Sequence, residues 1–524
     1  MITRRQFCTN VSSVAALGAA SVGWARDAAA KVNPTDTDSA GGFCMRPPQR
    51  FLFTDLRHID PGDLVWRGPD GETIPVAGPP EPSVDVHASV ENMAEGIRLV
   101  AQPAKKEGPI EGLWTRVLFD GGVYRSWRIE GSYPPGSNLG SYSKVSAEAI
   151  IVHYGESKDG YQWQWREVCR VPVSGVSGID GDYCFFDPHG PAQERYKCIY
   201  NARMISGLDE LWKQYQRIHP RHRDDRLSST NIFCLFGLVS PDGLNWRPIK
   251  ERLLIHEGDT DNTVYYDEWL GKYVLYTRLY WLRRRMIARA ESGDFHHWTP
   301  IDAIITPELD DPFSYDIYTN GRTNYPGLPE YHLMFPQFYR RYTQTSEVRL
   351  MSSLDGIGWG RLPGGPVLVP GDPGDWDGEY IYAGKDLIPL GPDRVAVPYA
   401  GYRYPHKYPR WEGVLTRTAG WASWPEGRLS ALVADAEGEF RTFEVQVTGS
   451  QLRVDAKVRR AGELRVGLVG VDGRAVENCD PVTGNERAKT ITWRNNADLG
   501  IAPGNAVRLH FRLRAAELYG FSWT

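Results

Sequence analysis

The heptapeptide Ser-x-Asp-Gly-x-x-Trp occurs three times without slippage. The copies are Ser157-Lys158-Asp159-Gly160-Tyr161-Gln162-Trp163, Ser240-Pro241-Asp242-Gly243-Leu244-Asn245-Trp246 and Ser353-Leu354-Asp355-Gly356-Ile357-Gly358-Trp359. Ser292-Gly293-Asp294-Phe295-His296-His297-Trp298 is a degenerate fourth copy without the glycine, and Thr418-Ala419-Gly420-Trp421 a weaker fifth. Asp-Gly closes a tight turn because glycine accepts positive φ. The tryptophan three residues on can fold back over an apolar layer. The tryptophans are spaced by 83, 52, 61 and 62 residues. That spacing suits four-stranded sheet units with loops. The repeat therefore predicts an all-β chain with a five-bladed β-propeller, its blades at roughly 87–170, 171–250, 251–301, 302–363 and 364–424.

Composition agrees with this reading. Short strand-like runs lie between turns supplied by 54 Gly and 37 Pro, aromatic residues include 18 Trp and 27 Tyr, and long amphipathic helical patterns are scarce. A chain of 524 residues exceeds one ordinary domain. From about 425 the pattern changes. Leu452, Val454, Ala456 and Val458 alternate, as do Leu464, Val466 and Leu468, then Val507, Leu509, Phe511 and Leu513. This predicts a C-terminal antiparallel β-sandwich over 425–524 that packs on the propeller or binds sugar.

Thr3-Arg4-Arg5-Gln6-Phe7, the weakly apolar run from Val11 to Val22 and Gly23-Trp24-Ala25 resemble a twin-arginine export signal over 1–25. Residues 26–86 read as an extended arm. No run approaches the ~20 apolar residues of a membrane span, so a soluble periplasmic or secreted protein is expected. Of seven cysteines, Cys8 would leave with the signal, and Cys184 with Cys198 is the best disulfide pair, buried free thiols being the alternative. The net charge of −5 argues against nucleic acid.

Each expected blade opens on polar or acidic residues: Glu111 near the first, Asp180 and Asp182, Asp259 and Asp261, Asp316, and Asp375, Asp377 and Glu379. The first strand of a propeller blade lines the axis, so acids far apart in sequence converge on one funnel. Asp261 to Tyr276, DNTVYYDEWLGKYVLY, and more loosely Asp182 to Tyr200, resemble a strand-turn unit of the five-bladed propeller glycoside hydrolases of the fructosidase-like and arabinanase-like clans. The resemblance covers roughly 87–424. It implies three essential carboxylates: a base or nucleophile, a general acid and a third acid that orients the sugar or tunes a pKa.

By motif position Asp182 and Asp261 are the base or nucleophile and the orienting acid. Glu379 is the general acid by chemistry. Asp259, Asp316, Tyr318, Trp376 and Tyr380, with Arg403 and His406 of a basic loop, are the expected sugar-binding residues. Arg283-Arg284-Arg285 and that loop could receive a carboxylate or sulfate of an anionic glycan. No cofactor or catalytic metal is expected; a structural calcium could sit among the axial acids, though no loop demands it. Oligomeric state is left open. Rival readings are a polysaccharide lyase using Tyr and His, and a non-catalytic sugar-binding propeller.

Overall fold

The computed structural model describes residues 49–74, 87–137, 144–220, 224–259, 261–407 and 417–524. The expected export signal and Cys44 lie outside them. The heptapeptides form the turns their residues dictate. In the first, Asp159 Oδ1 accepts the N–H groups of Tyr161 and Gln162, both at 2.8 Å, and Ser157 Oγ accepts that of Gly160 at 2.9 Å. Glycine serves here because φ is left-handed, +76° at Gly243 for example. In the degenerate copy Phe295 takes the same conformation at φ +70°, held by its buried ring. The fifth, Thr418 to Trp421, is not a turn: it lies inside the strand Thr418–Pro425. Its Asp is missing, so nothing caps the backbone N–H groups of a turn there.

Five antiparallel sheet units follow one another along the chain, the fourth of them split into two sheets. The first spans Leu118–Asp120 to Gln164–Pro172, the second Val176–Phe186 to Leu254–Ile255, and the third Asn262–Asp267 to Asp302–Ile305. The fourth region, Tyr315–Ile317 to Trp359–Arg361, holds two short sheets, and the fifth runs from Tyr380–Ala383 to Thr418–Pro425. Each neighbouring pair shares an apolar core. Trp127 meets Leu238 and Trp246 between the first and second; Ile199 meets Leu275 and Phe295 between the second and third. Ile287 meets Met334 between the third and fourth, and Leu333 meets Val397 between the fourth and fifth. Tyr124 meets Ala396 and Trp421 between the fifth and first, which closes the ring.

The turn carbonyls bolt this ring together. Gly243 O accepts the Trp127 indole at 2.7 Å, Gly160 O that of Trp421 at 3.0 Å, and Gly356 O the Tyr276 hydroxyl at 2.6 Å. Each donor belongs to the preceding sheet. A second lock is topological: Lys105–Glu107, which precedes the first sheet, pairs with Trp421–Ser423 as the outer strand of the fifth. A cavity of about 240 Å³ on the axis is lined from all five sheets, by Leu118, Tyr183, Val264, Asn324 and Asp386 among others. The molecule is a β-propeller.

The alternating tail runs build an antiparallel sheet, as their period requires. It is a single seven-stranded half-barrel in which Arg50–Leu52, Ile59–Asp60 and Arg98–Ala101 join the C-terminal strands. The two runs from Leu452 and Leu464 are one strand, Leu452–Leu468. A break in register between Val458 and Glu463, with Ala461 at φ +64°, bends it so that both halves face one core around Phe511 and Phe521. No helix among the described residues is long and apolar enough to cross a membrane.

Candidate active site

The polar level of the axis takes one residue or more from each sheet. Arg116 precedes the first sheet and bridges Lys385 of the fifth. Its guanidinium pairs with Asp182 of the second. Asp261, entering the third sheet, accepts the backbone and side-chain N–H groups of Asn320, both at 2.6 Å. Lys385 Nζ lies 4.0 Å from Asp261 and donates to the carbonyl of Asn262. Asn262 Nδ2 donates to Gly181 O at 3.0 Å, tying the second and third sheets at this level. Asp182 and Asp261 are therefore brought together, as expected, in a buried floor of alternating charge.

Two residues before this floor in the chain stand Trp114, Asp180, Asp259 and Tyr318. Asp180 lies in the field of Asp259 and Arg116, and Arg278, which pairs with Asp259, lies 4.4 Å from the centre of the Tyr318 ring. Asp259, at φ +47°, is held by Arg226 at 2.9 Å and by Arg278. Burial alone would raise its pKa; Arg278 and Arg226 overcome this and hold it below the ordinary carboxylate range. Asp180 goes the other way. Crowding by protein and the adjacent Asp259 raise its pKa, against the N–H of Gly181. Its side chain is nonetheless open to solvent, the combination a concave wall produces. Burial also raises Asp261 and Glu257, the latter despite an ion pair with Arg226 at 2.6 Å. Lys385 is lowered to about 7 by burial and by Arg116.

Arg226 arrives from an insertion in the second sheet. That insertion carries the helix Leu208–Ile218, anchored by buried Leu211 and Tyr215. Tyr215 Oη accepts the Asp224 N–H at 2.6 Å, which sets Arg226 over Glu257 and Asp259. Asp224 is pushed up to about 8 by burial.

Several expected residues are placed elsewhere. Glu379 does not join Asp182 and Asp261. By strand alternation it shares the face of Ile381, which lies in the core between the fourth and fifth sheets, while Tyr380 and Tyr382 take the other face. Among the described residues no hydrogen bond or ion pair engages its side chain. Asp316 is fully buried and saturated by Arg285 at 2.8 Å and Arg341 at 2.6 Å, which leaves no acceptor for a sugar. Arg285 of the basic run is thereby consumed. Trp376 packs under the fifth sheet against Tyr399, outside the wall. Arg403 is exposed. Tyr318, Tyr380 and His406 do gather: Tyr318 Oη lies 3.2 Å from His406 Nε2, and Tyr380 stacks on His406 at 4.4 Å. Cys184 and Cys198 are opposite one another in the ladder as free thiols. Among the described residues no group of three or more His, Cys, Asp or Glu is arranged to hold a metal.

Arg116, Arg226, Arg278, Asn320 and Lys385 escaped sequence reasoning. Arg116, Arg226, Asn320 and Lys385 belong to a different part of the chain from the acid each serves, so no local spacing announces them, whereas Arg278 stands on the returning strand of the hairpin that Asp259 and Asp261 lead.

Fold and site define a β-propeller with a pit of paired carboxylates and arginines on its axis. No family model matches the sequence, and no curated protein matches it. Solved structures similar to it include a β-1,2-mannobiose phosphorylase from Listeria innocua, 12% identical, covering 64% of this chain and 92% of that one with a TM-score of 0.40. An N-acetylgalactosamine deacetylase from F. plautii is 13% identical over 63% of this chain and 96% of its own, with a TM-score of 0.38. A GH32 β-fructofuranosidase from Bombyx mori is 8% identical over 78% and 90%, with a TM-score of 0.37.

Proposed function

We propose that the protein is a glycoside hydrolase acting on a poly- or oligosaccharide in the axial pit. The observation that carries this reading is the pair Asp180 and Asp259. They are neighbours, one above and one below the ordinary carboxylate pKa. Glycoside hydrolysis needs both forms at once. Asp180, its pKa raised by burial and by Asp259, and open to solvent, is the general acid that delivers a proton to the leaving oxygen. Asp259, held ionised by two arginines, activates water or attacks the anomeric carbon. Asp261, fixed by Asn320, and Asp182, paired with Arg116, shape the floor and keep Asp180 and Asp259 in place. The propeller, from about 105 to 424, is the catalytic unit, with the half-barrel of 425–524 and the strands Arg50–Leu52, Ile59–Asp60 and Arg98–Ala101 as an accessory module. Residues 1–25 direct export to the periplasm or beyond, which N-terminal sequencing of the mature protein tests.

The experiment is sugar release from a panel of polysaccharides by the wild type, Asp180→Asn and Asp259→Asn. General acid–base groups contribute about 10²- to 10⁴-fold, so each variant should lose at least about a hundredfold in kcat with its folding intact. Full turnover in both would remove this mechanism. A product with an ultraviolet-absorbing unsaturated end would point instead to a lyase built on Tyr318, Tyr380 and His406.

A further inference from the structure

Around the pit most cations are accounted for by acids, and buried Arg322 instead has the Asn324 side-chain carbonyl oxygen and His332 as hydrogen-bond partners. Arg116 has Asp182, Lys385 has Asp261, Arg226 has Glu257 and Asp259, Arg278 has Asp259, and Arg285 and Arg341 have Asp316. Arg417 is different. It lies between the fifth and first sheets, with its guanidinium 3.5 Å from the centre of the Trp114 ring and Nη1 donating to Tyr382 Oη at 3.1 Å. Its electrostatic neighbours are Tyr382, Tyr402 and Arg116. Among the described residues no carboxylate lies within ion-pair distance of it. Arg116 in turn feels Tyr382, Asp182 and Asp180, so Arg417 stands on the same stretch of wall as the proposed general acid. Donors are in excess here: the Trp114 indole N–H and Arg116 Nε also lack an acceptor.

A partly buried guanidinium stacked on an aromatic ring, with two tyrosines, a second cation and no carboxylate among its described neighbours, is held in place but not neutralised. Removing a charge from water is costly unless a counter-charge arrives. A planar guanidinium favours carboxylate and sulfate oxygens. We infer that Arg417, backed by Trp114 and Tyr382, forms a subsite for an acidic sugar, whose carboxylate or sulfate group completes an ion pair that no described residue makes. This rests on the glycosidase reading and names the class of glycan that it takes. It also moves the expected anion contact away from Arg283-Arg284-Arg285, where Arg285 is already spent on Asp316.

The test uses the full-length protein and matched sugars, with titration calorimetry or ligand-observed NMR as the readout. D-galacturonate is compared with D-galactose, D-glucuronate with D-glucose, and D-galactose 6-sulfate with D-galactose. The wild type should bind the acidic member of at least one pair tenfold or more tightly, and the preferred pair tells carboxylate from sulfate. Arg417→Gln should bring that ratio to about one, while Arg417→Lys retains part of it and controls for folding. No acidic preference in any pair, or one unchanged in Arg417→Gln, overturns the inference. Asp180→Asn and Asp259→Asn keep the two readings apart. If they abolish hydrolysis with no acidic preference in the wild type, only the subsite falls. If they stay active while the preference depends on Arg417, only the hydrolytic assignment falls.

Discussion

Replacing Arg226 by Gln should move the acid limb of the pH–activity profile upward by about 1–2 units. Arg226 Nη1 sits 2.9 Å from Asp259 Oδ2, with the charge centres about 4 Å apart. At an effective dielectric of about 20 that attraction is about 4 kcal/mol, or about 3 pKa units. Three facts reduce it. Both side chains are about a quarter exposed, Arg226 is shared with Glu257, and Arg278 remains on Asp259 after the change. The sign follows from the depressed carboxylate. Asp259 adds stability above its unfolded pKa, and that contribution is lost as pH falls through its lower folded value. Raising the folded value brings the loss, and the loss of the ionised catalytic form, to higher pH. The assay is kcat/KM against pH for wild type, Arg226→Gln and Arg226→Lys, with thermal unfolding in parallel. Arg226→Lys keeps the charge and should restore most of the limb, although a merely structural role would leave the limb unmoved in either variant. An unmoved acid limb in a folded, active Arg226→Gln would refute Asp259 as the ionised partner.

Asp224, raised to about 8 by burial, takes up a proton on folding between about pH 4 and 8. Its contribution to stability therefore falls as pH rises through that window. Asp224→Asn should melt higher than wild type at pH 8, with the gap closing towards pH 5 in a thermal-unfolding series. Gly243→Ala places a Cβ 2.9 Å from the Trp127 ring at φ +76°, and should cost at least about 1–2 kcal/mol from the left-handed backbone alone in denaturant titration. Trp421→Phe removes the indole bond to Gly160 O between the fifth and first sheets. It should cost about 0.5–1.5 kcal/mol for the lost hydrogen bond, because the Trp163 indole still donates to Gly160 O at 3.1 Å, read as a lower denaturation midpoint.

The parts of the protein that local chemistry controls were legible in the chain. An Asp that caps two N–H groups and a residue able to take positive φ make the same turn wherever they occur, so the heptapeptides announced the units of the ring. Strict alternation announced the tail strands. The same reasoning anticipated that Asp182 and Asp261 lie close in space, where Arg116 and Lys385 face them, because both lead inner strands. It failed at Glu379 through strand parity: one residue decides between the pit and the space between two sheets, and only the register against Arg394–Tyr402 sets which. It failed at Asp316 because two arginines from different hairpins fill its oxygens.

What only the tertiary structure decided is the division of labour between charges. Asp180 and Asp259 carry the same side chain and stand in equivalent places. They differ because Arg226 and Arg278 converge on one of them and protein bulk crowds the other. Local sequence carries backbone conformation and periodicity, since those depend on near neighbours. Electrostatic environment is a sum over groups close in space, and a closed ring gathers them from every part of the chain.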